Sequence, residues 1–139
     1  KLVSSDSQPA AAITDTNNMF GALEFAQSMA AVGVQPIMGA QIEIEDAAGR
    51  GDVVVLAKHE TGYVNLSKLL SKILLSTDGV ASPACNIEDL VNYRDGLIIL
   101  SGGALSGFVG LIHRSRSNTE STFKQNLSSK CVSPEFLSK

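Results

Sequence analysis

Ala10-Ala11-Ala12-Ile13-Thr14-Asp15-Thr16-Asn17-Asn18-Met19-Phe20-Gly21-Ala22-Leu23-Glu24-Phe25 is the stretch from which the architecture can be read outward. Residues 10–14 form a short apolar run that stops at Asp15 and gives way at once to polar Thr16-Asn17-Asn18. Such a run reads as a buried strand whose carboxyl end carries an acid. Asn17 or Asn18 can then cap a helix over residues 19–32, because an Asn side chain accepts from the unpaired amides of a first turn. Within it Phe20, Leu23, Ala26 and Ala30 recur at three- and four-residue spacing, which predicts that this stripe faces a core. Gly33 is placed to end the helix.

Downstream, Pro36-Ile37-Met38-Gly39 leads into residues 40–45, where Ile42 and Ile44 alternate with Gln41, Glu43 and Glu45. Period-two alternation predicts a strand with one wet face. After a polar, Gly-containing turn at 46–51, residues 52–57 form a second strand, and its continuous valines predict burial on both faces, as in a parallel sheet. From Thr61 the series Tyr63, Leu66, Leu69, Leu70, Ile73, Leu74 is helical, broken at 76–83. Asn86 is a cap for a short helix over 87–93, with Glu88 and Asp89 in its first turn, where the helix dipole favours acids. Residues 96–101 are a further apolar strand, and Gly102-Gly103 turns toward a helical stretch at 108–113. The polar segment 114–139 carries a surface helix over 119–127.

Strands alternating with helices predict an α/β fold with parallel pairing. Four strands with their crossovers do not close a barrel and leave sheet edges unprotected. The expectation is a piece of a larger polypeptide, truncated at both ends, rather than a sheet covered by a separate partner.

With 139 residues, 44% hydrophobic and 18% charged, the composition is that of one globular domain. A net charge of −3 gives no overall field to draw in DNA directly. Apolar runs such as 53–57 and 97–100 fall far short of the roughly 20 residues of a membrane helix. The opening residues lack the features of a secretory signal, so an intracellular, cytoplasmic location is expected. Cys85 and Cys131 have no CxxC spacing and are expected as reduced thiols.

Among candidate chemical groups, Asp15 stands at the strand end where parallel α/β folds place ligands, although it serves equally well as a helix or turn cap. Gln41, Glu43 and Glu45 share a strand face that reads first as a solvated edge, and Asp52 reads as a turn acid that could also face Asp15. His59 and His113 are the only histidines and show no zinc-type spacing. The Gly102-Gly103 pair lacks the spacing and Lys of a phosphate loop, and Arg114, Arg116, Lys124 and Lys130 are too sparse for a nucleic-acid patch.

The stretch 12–25, together with Gly33-Val34-Gln35-Pro36-Ile37-Met38-Gly39, resembles the PHP domain (polymerase and histidinol phosphatase domain) of DNA polymerase III alpha subunits. Residues 54–58 followed by 62–69, and then Gly96-Leu97-Ile98-Ile99-Leu100-Ser101-Gly102-Gly103, resemble later segments of that family in the same order. The resemblance covers about residues 8–113. It assigns 1–113 to part of the PHP domain and leaves 114–139 as a polar C-terminal segment of the same domain.

The resemblance implies a partial, distorted (β/α)7 barrel with parallel strands and flanking helices. In members with an intact site, metals at the strand ends hydrolyse phosphoesters. Residue by residue, the first strand's His-x-His would lie upstream of Lys1; Asp15 is retained as a vestigial ligand position, but its His neighbour is replaced by Thr16. The bridging Glu is replaced by Gln41, a His position is taken by Asp52, and loop positions become Gly103 and Gly107. Gln offers a neutral amide and Thr no imidazole, so the resemblance implies a degenerate metal site with no catalytic residue and no cofactor in this piece. It further implies a structural role within the parent polymerase, whose own chemistry uses Mg2+. Its expected partners are the other polymerase domains and the proofreading exonuclease (epsilon) subunit, with DNA met only through the parent enzyme and no membrane. The competing expectation is an active phosphoesterase or proofreading exonuclease with bound Zn2+ or Mn2+.

Overall fold

In the computed structural model the described residues are 2–46, 49–76, 83–102 and 107. A short helix α1 (Leu2–Ser5) precedes strand β1 (Ala10–Thr16), helix α2 (Ala22–Ala30), strands β2 (Gln35–Asp46) and β3 (Gly49–Ala57), and helix α3 (Glu60–Leu75). Strand β4 (Cys85–Asn86), helix α4 (Ile87–Asn92) and strand β5 (Leu97–Leu100) complete the order. One mixed sheet runs β1-β2-β3-β5, with β4 paired to β2 off that path. The readings at Gly103, 108–113, His113, 119–127 and Cys131 lie outside the described residues.

β1 and β2 are parallel, joined by a crossover through α2, as the alternation of strand and helix predicts. The parallel expectation fails for the next strand: β3 is antiparallel to β2, with Asp46 opposite Gly49. The reason is length, because a parallel return needs a crossover of a dozen or more residues and a hairpin needs only a few. β5 is likewise antiparallel to β3. The valines of β3 accordingly alternate, Val53 and Val55 buried and Val54 half-buried, rather than being covered on both sides.

The core lies on one face of the sheet. Ala40, Ile42 and Ile44 of β2 and Val53 and Val55 of β3 pack with Leu66, Leu69, Leu70 and Ile73 of α3, and with Cys85 and Leu90. Four of the apolar positions predicted for α3 are therefore its buried stripe, whereas Tyr63 and Leu74 stay largely exposed. Asn86 caps α4 as predicted, its Oδ1 accepting from the Asp89 amide at 2.7 Å. The two-residue strand β4 was not anticipated; it pairs Cys85 with Ile44 and Asn86 with Glu45.

α2 differs from expectation in start and face. Asn18 Oδ1 accepts from the Phe20 amide at 3.1 Å, forming a local turn, and the helix begins only at Ala22. Phe20 and Leu23, predicted to face the core, are 89% and 71% exposed. Ala22, Phe25, Ala26 and Met29 form the inward stripe instead. A second set of residues at helical spacing was thus available in the same sequence, and contact with β1 and β2 selected it. Gly33 ends the turn as read, with φ of +71° and the Val34 amide donating to Met29 O at 3.0 Å.

A close approach fixes α3 to the turn before β5. A Cβ on Gly62 would stand 1.9 Å from the carbonyl oxygen of Gly96, which already accepts from the Lys58 amide at 2.9 Å. Only a hydrogen at Gly62 lets the backbones meet.

Candidate functional site

Residues paired across neighbouring strands share a sheet face, and alternate residues along each strand return to it. By that rule the face away from α3 carries Thr14 and Thr16 of β1, Gly39, Gln41 and Glu43 of β2, Leu56, Val54 and Asp52 of β3, and Ile98 and Leu100 of β5. These residues are half-buried or exposed, apart from Gly39, which lies beneath Leu56 and Thr14.

Three of the sequence-predicted positions meet on this face. Thr16 and Gln41 are register partners on β1 and β2, and Asp52 sits on β3 opposite Glu43, the next residue of β2 on that face. Gly107 joins them through a bridge to Asp52, and Gly102 packs against the same residue, an added Cβ there coming within 2.8 Å of Asp52 O. Asp15 is on the other face: it pairs with Ala40, a core residue, and its Oδ2 lies 3.4 Å from where a Cβ on Gly21 would be, at the start of α2. Its carboxylate is therefore separated from Thr16, Gln41 and Asp52 by the sheet. His59 is remote as well, exposed at the start of α3 and close to Gly96.

The donor set of the open face is thus the hydroxyls of Thr14 and Thr16, the neutral amide of Gln41 and the carboxylates of Asp52 and Glu43. Arg50 answers the acids of this hairpin, with Nη1 3.6 Å from Glu43 Oε2 and Nη2 2.9 Å from Glu45 Oε2. Among the described residues no three His, Cys, Asp or Glu side chains converge as a metal-ligand group. A neutral amide at Gln41 cannot bridge two cations as a carboxylate does, so these residues do not fit a multinuclear cluster.

Asn17 is the residue whose position sequence reading missed. The sequence offers Asn17 or Asn18 as a helix cap, yet the Asn17 backbone turns left-handed at φ of 54° and its amide donates to Gln41 O at 2.8 Å. Its Nδ2 donates to Pro83 O at 3.2 Å, which ties the end of β1 to the segment entering β4. β1 stops opposite Gln41 and β4 begins opposite Ile44, so Asn17 splices two short strands along one edge of β2. Its Oδ1 is buried and has no partner among the described residues. The tolerance of Asn for left-handed backbone, directly after a strand, was the available signal.

Burial, reinforced by Asp89, pushes the Cys85 thiol up to about 12, which keeps it protonated and makes it a core residue. The hydrogen bond that Lys72 Nζ donates to Asp89 Oδ1, at 2.5 Å, raises the Lys72 ammonium above its ordinary range. No described helix is long and apolar enough to cross a membrane.

A mixed α/β sheet with helices packed on one face, and with Thr16, Gln41, Glu43 and Asp52 on the other, defines the class. The PHP domain profile matches residues 1–130, and the chain belongs to that family. It is 40% identical over 101 residues to the DNA polymerase III subunit alpha of Rickettsia felis, a match covering 72% of this chain and 8% of that protein. It is 39% identical over 105 residues to the protein of the same name from Escherichia coli K12, covering 73% and 9%. The Caulobacter vibrioides protein of that name is 35% identical over 111 residues, covering 74% and 10%. The match therefore spans about a tenth or less of the length of these relatives.

Proposed function

We propose that this chain is the PHP module of a DNA polymerase III alpha subunit and serves DNA replication as a non-catalytic structural unit with a degenerate metal site. The observation that carries the reading is the juxtaposition of Thr16 and Gln41 on the open face, where two neutral side chains occupy positions that the family resemblance assigns to a His and a bridging Glu. Asp15, the retained acid, supports the reading by lying across the sheet from them.

The rest of the polymerase polypeptide is the first partner. Further strands paired to the outer edges of β1 and β5 would complete a (β/α)7 barrel around the open face; those edges carry no partner among the described residues, which supports that closure. The same module docks the separate proofreading exonuclease subunit, and DNA and Mg2+ are engaged by the parent polymerase in the cytoplasm. Asp52 and Glu43, directly opposed on the open face, favour the second reading, a metal-dependent phosphoesterase.

Metal analysis and phosphodiester hydrolysis on the intact polypeptide, with and without added Mn2+ or Zn2+, decide between the two. The structural reading expects no tightly bound metal at this domain and no hydrolysis sensitive to Asp15→Asn or Asp52→Asn. Stoichiometric metal with turnover abolished by either substitution would establish the phosphoesterase.

A further inference from the structure

We draw no further inference here: the strongest candidate, the exposed apolar patch of Phe20 and Leu23 at the entry to α2, carries nothing because nothing in the structure shows what covers it.

Discussion

The two faces of one sheet are built from neighbouring residues of the same strands and have opposite characters. On the α3 side Ala40, Ile42, Val53 and Val55 are closed beneath Leu66, Leu69 and Ile73. On the other side Thr16, Gln41, Glu43 and Asp52 share an open surface with Val54, Leu56, Ile98 and Leu100. Stability resides on the first face, where apolar area has left water. Thr16, Gln41 and Asp52, three of the positions that the resemblance assigns to metal ligands, are on the second, where a change of side chain has little consequence for folding. The neutral Thr16 and Gln41 side chains, at positions where the resemblance implies a His and a Glu, are compatible with an intact sheet for that reason.

The sharpest way to break this comparison is truncation on each side. Leu69→Ala, at a residue with no exposed area, should cost about 3 kcal/mol in a denaturant titration. Leu100→Ala, at a residue 43% exposed, should cost about 1 kcal/mol or less. Equal losses would mean that the open face is covered in the intact protein.

Alkaline titration probes the closed face by another route. Cys85 is raised from 9.0 to about 12, so the folded state holds the thiol proton more tightly than the unfolded state. Its contribution is complete below pH 9 and is lost as pH rises toward 12, with a slope approaching about 1.4 kcal/mol per pH unit. Cys85→Ala should remove that slope from the stability–pH curve, and Cys85 should resist alkylation until the domain unfolds.

At the seam between the faces, Asn17→Gly keeps access to left-handed backbone and removes the side-chain tie to Pro83, for an expected loss of about 1 kcal/mol. Asn17→Ala should cost more, because it also strains the backbone. Equal effects would assign Asn17 a side-chain role alone. The smallest change is expected at Gln41→Glu, where a new charge beside Glu43 and Asp52 should destabilise by less than about 1 kcal/mol and fade with added salt.

Much of the framework was legible from local signals. The strand at 10–16, half-buried or exposed throughout rather than buried as its apolar run suggests, the Asn86 cap, the Gly33 stop and the buried stripe of α3 each depend on chemistry within a few residues. The candidate site was legible only through family resemblance, because Thr16 and Gln41 are ordinary residues by type. The valines of β3 misled, since a continuous apolar run is compatible with either strand direction until the length of the preceding turn is weighed. α2 misled because two overlapping stripes satisfy helical spacing, and nothing within the helix says which one meets β1 and β2.

By itself the sequence determined the approximate places of β1, α2, β2, β3, α3, α4 and β5, where two of the helices are capped or stopped, and which family the domain joins, because those are matters of short-range periodicity and residue identity. The inward face of α2, the end-to-end splice of β1 and β4 by Asn17, and the meeting of Thr16 with Gln41 and Asp52 on one sheet face were decided only in three dimensions. Each depends on contacts between segments distant in the chain, down to the hydrogen bond from Asn17 to Pro83 across 66 positions, and no local pattern encodes them.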